Sequence, residues 1–388
     1  MKKRILNTLL LLSIVLFGYA QKNQELNYID YHTQLNQAKI LIAQSKYDKA
    51  LEIHQNVFRQ YPKHFYKDVH NACVCAIKCE KFKEARKLAQ ELVSLGYSSV
   101  RFEKQAFKSF RNSSEWKVFE KSYPKLRLKY ESGLNHDLRE KYQQLYLEDQ
   151  KVASNEYGYG EFKNDSAMLA LSKRLKEYYK EDGIPDFIRQ SDSMYTKYFI
   201  LYRHYFGIKN NADNTPEIKN KFNIYKEIDA LNWKEVLLKE LRAGNINPRF
   251  YSDAVMYNDY SNPFGKAAIK IDFDKEIVSP FMCLKPEDVA EKNANRLAIG
   301  LMPLSDDNKD ILANTWYAKY PFKAIKDSIS KTKNASLLDK IMLKTKVELQ
   351  VYNSFPHANQ DEFFIDDFSK INEKYNHGFK DLPTADVK

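Results

Sequence analysis

An internal offset of 35 residues constrains this chain more than any other feature. Lys46-Tyr47 and Lys81-Phe82 stand at corresponding places, and so do Ala50 and Ala85. In each copy a small residue, Ala38 or Cys73, lies twelve positions before the second small one. Small residues at such points let two helices approach closely, and the aromatic between them fills the space beside the crossing. Pro62 follows Ala50 by twelve and, lacking a backbone N–H, stops the second helix. The spacing predicts helices over 28–44, 47–60, 66–79 and 82–95, the last closed by Gly96 as a left-handed cap. A degraded third hairpin follows. Trp116 lies 34 residues after Phe82, with Phe102, Phe107 and Phe110 before it at helical spacings. Phe107 stands where a small residue is expected, so this hairpin reads as the cap that ends a stack.

The period and the small-residue positions resemble a tetratricopeptide array, whose repeat is roughly 34 residues long. Stacked hairpins of that kind present a groove lined by their first helices, suited to extended or helical segments. Tyr31, Gln34 and Asn71 are the candidate groove residues. Two and a half repeats make a small groove, and docking the module that follows is the alternative role of the stack.

The N-terminus carries an address. Lys2, Lys3 and Arg4 precede an apolar run from Leu9 to Phe17, and Gly18-Tyr19-Ala20 supplies small residues for cleavage before Gln21. The run is too short to span a bilayer comfortably, so 1–20 reads as a signal peptide rather than an anchor. No Cys stands at the cleavage point, which argues against lipid anchoring. Removing the leader takes away three cations and lowers the net charge from +11 to +8. That excess is spread over many lysines, as around Lys173-Arg174 and Lys176, rather than gathered in a block. Export makes nucleic acid an improbable partner and leaves a weak preference for anionic surfaces open. The expected address is periplasmic, outer-membrane-associated or secreted, with no integral membrane segment once the leader is gone.

Cysteine is scarce. Cys75 and Cys79 fall one turn apart on one helix face and Cys73 points elsewhere, so three zinc ligands do not converge. These residues read as small core side chains. A bridge from Cys75 or Cys79 to Cys283 is conceivable in an oxidising compartment, though spacing does not specify it.

A second helical module is expected over 135–304, after a break from Ser122-Tyr123-Pro124 to Ser132-Gly133 that separates it from the repeats of 21–124. Leu138, Tyr142, Leu145, Asp149 and Val152 form one stripe of a single helix. Asp149 therefore sits on an apolar face, where an unpaired carboxylate is costly. A helix over Ser191 to Phe206 is apolar nearly all round, which buries it in mid-bundle, and His204 lies inside it. Further helices are expected from Ile218 to Ala243, interrupted near Ala230, from Asn247-Pro248, and from Pro286 to Ile299. Lys266 to Phe273 alternates enough for a short extended piece. The remaining 305–388 should hold two or three amphipathic helices, marked by Leu337, Leu338, Ile341 and Met342, before a polar end broken by Pro356 and Pro383. With 27 Tyr and 23 Phe to fill its core, the chain is expected to be all-α.

Several segments resemble an uncharacterised bacterial domain family found behind tetratricopeptide-like helices in exported proteins. They are Leu145-Tyr146-Leu147-Glu148-Asp149-Gln150, Glu181-Asp182-Gly183-Ile184-Pro185, His204 ending a hydrophobic helix, Leu241-Arg242-Ala243-Gly244-Asn245-Ile246 and Asn295-Arg296-Leu297-Ala298-Ile299-Gly300-Leu301. The resemblance covers roughly Asp137 to Leu304 and implies no established activity. The chain also departs from it. Val152, Ala153 and Ser154 stand where an Arg is usual, Phe264-Gly265-Lys266-Ala267 replaces a Tyr-Gly-Thr-Gln run, and Asn258-Asp259 replaces an Asp-Arg pair.

The candidate chemistry is thin. Asp149 and His204 could face each other, either as a general acid/base pair or as a buried pair that fixes helix register. Gln150 and Arg296 are further binding candidates, Arg296 being as suited to clamping a loop carbonyl as to holding an anion. Gly158-Tyr159-Gly160-Glu161 lacks the lysine of a phosphate loop. Asp361, Asp366 and Asp367 lack calcium-loop spacing. No metal site and no cofactor are implied. The expectation is an exported, non-catalytic scaffold for a protein or peptide partner in the cell envelope. The rivals are a hydrolase-like enzyme built on Asp149 and His204, and a secretion-system or surface component.

Overall fold

The structure is a computed structural model, and it describes residues 26–153, 162–214, 224–257, 263–265, 267–272, 277–282, 286–304 and 349–351. The leader, the Gly158 loop, Cys283, Asn258-Asp259, the helices expected within 305–388 and the aspartates at 361, 366 and 367 lie outside these residues. The chain is all-α in its class, as expected, with one small sheet.

Four helices open it: α1 Tyr28–Ala43, α2 Tyr47–Gln60, α3 Tyr66–Lys78 and α4 Phe82–Ser94, each packed against the next. Their crossings are tight because the residues there are small: Ala38, Ala50, Cys73 and Ala85 are all fully buried. Cys73 Sγ reaches the Ala85 carbonyl at 3.4 Å, so the small-residue pairing of the second hairpin is a direct contact. The turns recur with the helices. Ser45 (φ 58°) and Glu80 (φ 56°) take the same left-handed conformation 35 positions apart. Lys46 N–H then returns to the Leu41 carbonyl at 2.8 Å, and Lys81 N–H to the Ala76 carbonyl at 2.9 Å. Gly96 (φ 86°) repeats this closure after α4, with Tyr97 N–H on the Leu92 carbonyl at 2.9 Å. Each closure satisfies carbonyls that a helix end otherwise leaves open.

After two 3₁₀ turns and the short α5 (Lys108–Arg111), α6 runs from Ser114 to Ser132. The break expected at Ser122-Tyr123-Pro124 is not there: Pro124 lies inside α6 and the chain turns only at Gly133. Proline removes one helical hydrogen bond. Phe119 is buried, and Tyr123 and Leu126 pack on the core of the stack, so tertiary burial keeps the helix running past Pro124. The cap assigned to the degraded hairpin is an aromatic cluster. Phe102, Phe107, Phe110 and Phe119 are buried edge to face around Trp116 and Tyr97.

The second group of helices comprises α7 His136–Ala153, α8 Phe162–Asp182, α9 Met194–Asn214, α10 Ile224–Ala230, α11 Trp233–Arg242, α12 Pro248–Val255 and α13 Pro286–Leu297. The interruption expected near Ala230 separates α10 from α11, with Asn232 at φ 49°. Helix α9 lies at the centre, with Tyr198, Tyr202, Tyr205 and Phe206 buried between Tyr142, Trp233 and Phe250. The extended piece is strand β1 (Ala267–Asp272). It is flanked on both sides by antiparallel partners, β2 (Ile277–Met282) and β3 (Leu349–Val351).

The two groups are docked through their backbones. Tyr66 N–H donates to the Arg189 carbonyl at 3.0 Å, and Ser191 N–H to the Leu95 carbonyl at 2.8 Å. Lys63 Nζ caps the end of α11 on the Ala243 carbonyl (3.0 Å) and Asn245 Oδ1 (2.6 Å). Two glycines set how closely the groups meet. A Cβ on Gly244 (φ 73°) would fall 2.5 Å from the Tyr28 ring, and one on Gly300 (φ 77°) 3.0 Å from His32 Cβ and the Ile29 carbonyl. Asp192 adds charge at the seam. Arg139 grips it through both nitrogens, at 2.5 and 3.0 Å, and Tyr130 donates to it at 3.3 Å.

Candidate functional site

The apolar stripe of α7 delivers Asp149 where its spacing requires, with Tyr142 and Leu145 buried on the same face. Helix α9 crosses α7 and brings His204 to it: Nδ1 lies 2.6 Å from Asp149 Oδ2. The same oxygen accepts from Gln150 Nε2 at 2.9 Å. A ring N–H at Nδ1 donating to this oxygen satisfies the buried acceptor. The aspartate side chain is 3 % exposed and the histidine 14 %, so one edge of the imidazole faces outward.

A narrow cleft opens beside the pair. Besides Asp149 and His204 it is lined by Met168, Leu171, Ser172 and Leu175 of α8, with Leu201 and Tyr205 of α9. Its free space admits about one water molecule. Ser172 is the polar residue here that periodicity did not single out, because it sits at an ordinary core position among the apolar residues Met168, Leu171 and Leu175 of the same helix.

Arg296 does not join them. Its guanidinium is buried, donating through Nε to the Met302 carbonyl at 2.6 Å and through Nη1 to the Phe264 carbonyl at 3.1 Å. Of the two uses open to it, clamping loop carbonyls is the one realised. Asn293 and Asn295 hold the same segment, on Leu304 and on the Pro263 carbonyl.

The groove candidates are corrected by burial. Tyr31 is fully buried, with its hydroxyl on Asp68 Oδ2 at 3.1 Å, and Asn71 is 1 % exposed; only Gln34 is half-exposed. Tyr31 is packed by Tyr28, Tyr61 and Phe65 of the stack itself. The second group also reaches this side, where Asn36 of α1 donates to the Gly300 carbonyl and Met302 joins the core of the stack.

The stack buries His32, His54, Asp68 and His70. Burial drives the imidazoles of His54 and His70 down to about 3, and that of His32 well below its ordinary value. Tyr97 hydroxyl meets His70 Nδ1 at 2.8 Å. Burial raises the Asp68 carboxyl, and nearby Lys39 opposes the shift. Burial also pushes the Cys75 thiol up, the direction that makes it inert. Cys73, Cys75 and Cys79 are free thiols. Among the described residues no three His, Cys, Asp or Glu side chains form a group fit for a metal, and no helix is long and apolar enough to cross a membrane.

Comparison with family models, with curated proteins and with solved structures gives no match for this chain.

Proposed function

We propose that this chain is an exported, tetratricopeptide-like scaffold whose work is binding a protein or peptide partner in the cell envelope rather than performing a reaction. One observation carries the reading. The Asp149–His204 pair is closed in by apolar side chains around room for about one water, while Arg296 is committed to backbone carbonyls. A substrate needs a pocket that buries most of its surface. The stack itself is capped at one end by aromatic packing and covered along its first helices by the second group. A partner is therefore received on the outer surface that remains, of which Gln34 marks the half-exposed edge.

The test is site-specific photo-crosslinking in the intact envelope, with the reactive group placed at Gln34 and at other exposed positions. The reading expects a discrete adduct of defined mass from a contiguous set of positions. Absence of adducts from every surface position would sink it.

The alternative is a hydrolase-like enzyme, favoured by Ser172 lining the same cleft as Asp149 and His204. A base held by a carboxylate beside a hydroxyl is the arrangement that acyl transfer uses. A serine-directed fluorophosphonate separates the readings: labelling that disappears in both Ser172→Ala and Asp149→Asn would favour the enzyme.

A further inference from the structure

Helix α6 has two unlike faces. Phe119 is buried, Tyr123 and Leu126 pack on the core of the stack, and Tyr130 closes against Gly96. The opposite face carries Lys117, Val118, Lys121, Lys125, Leu128 and Lys129, all exposed, with Val118 at 47 % and Leu128 at 67 %. Lys117, Lys121, Lys125 and Lys129 follow one another at i, i+4 spacing, an arrangement that destabilises a helix because like charges stand one above the next. None of the four forms an ion pair among the described residues. The carboxylates of α6 lie off this face: Glu115 pairs with Arg86, Glu131 with Arg127, and Glu120 falls on the flank.

We infer that this face of α6 docks the protein on an anionic lipid surface, the lysines lying among the headgroups and Val118 and Leu128 entering the boundary below them. The residue types favour a membrane over an acidic protein. A specific carboxylate is best held by the planar fork of arginine, whereas lysine is a flexible point charge whose apolar stem can reach outward from a buried position. The one arginine of α6, Arg127, is turned away, donating to the Gly96 carbonyl at 3.1 Å and to Glu131. A row of cations about 18 Å long, flanked by aliphatic side chains, matches a diffuse negative surface.

The test is sedimentation of the chain with vesicles of phosphatidylcholine alone and with vesicles containing about one-third phosphatidylglycerol, at low and high salt. The leader, whose Lys2, Lys3 and Arg4 favour anionic lipid by themselves, is removed from every sample by starting the chain at Gln21, so differences between lipids and between variants report on the described helices and α6 in particular. The wild type is expected to bind the anionic vesicles at least tenfold more tightly than the neutral ones, and to lose that difference at high salt. Lys121→Glu with Lys125→Glu should abolish the preference, and Leu128→Ser should weaken binding severalfold. All three positions are exposed, so circular dichroism should show an unchanged fold. Equal binding to both lipids, an anionic preference that survives the double reversal, or no vesicle binding beside retention on an acidic polypeptide would overturn the inference.

Discussion

Asn36 Nδ2 donates to the Gly300 carbonyl oxygen at 3.0 Å across 264 residues of chain, from the first described helix to the turn that ends α13. Both groups are out of water, so each needs the other. With Tyr28 against Gly244 and Lys63 on Ala243, this bond makes the second group of helices the occupant of the stack's first-helix side.

The docking rests on close approach at glycine. Gly244→Ala should cost about 2–4 kcal/mol, from a strained φ and from collision with a Tyr28 ring whose hydroxyl is held by Lys63 N–H. Gly183→Ala is the control. It shares a positive φ, has nothing within 4 Å, and should cost only about 1 kcal/mol. Urea unfolding of the two variants checks this; equal losses would mean that the Tyr28 contact does not hold the groups together.

The left-handed residues of the repeat turns offer the opposite change. Glu80→Gly should raise stability by about 0.5–1 kcal/mol, because φ 56° is costly for a side-chain-bearing residue and natural for glycine. Ser45→Gly should do the same. A lower urea midpoint for both would contradict the turn geometry.

Acid should loosen the stack. His54 and His70 are held near 3 by burial, below their unfolded value, so the folded form keeps them neutral. That contribution is whole above the unfolded value and is lost as pH falls from about 6.5 toward 3. At pH 5 the loss is about 2 kcal/mol per histidine. The raised Asp68 carboxyl acts in the other sense: burial favours its protonated form, so its penalty is relieved as pH falls. Unfolding midpoints should fall between pH 7 and 5, and His54→Leu should flatten that slope. A midpoint independent of pH would refute the burial of these rings.

The Asp149–His204 contact should be worth register and stability. Asp149→Asn is expected to cost about 1–3 kcal/mol by removing the charged acceptor shared by His204 and Gln150. His204→Gln should be partly redundant with it in a double-mutant cycle. Strictly additive losses would mean that the two side chains do not act as a pair.

Local pattern and distant pairing were unequally legible in this sequence. The helices of the stack could be read almost to the residue because Ala38, Ala50, Cys73 and Ala85 must be small for reasons their spacing reveals. Asp149 and His204 stood out because each interrupts an apolar helix. Tyr31 misled because aromatic neighbours within the stack, Tyr28, Tyr61 and Phe65, close over it, and helical periodicity cannot distinguish a groove from a filled groove. Pro124 misled for the opposite reason: its local cost is real, and packing around Phe119 outweighs it.

The account depends most on the two groups of helices forming one cooperative body. Trp116 reports on the stack and Trp233 on the second group, so variants that keep only one of them, with Trp316 also replaced, give separate fluorescence signals in urea titrations. Coincident midpoints, moved together by Gly244→Ala, are the result predicted. Two transitions, or a Trp116 signal that ignores Gly244→Ala, would contradict it.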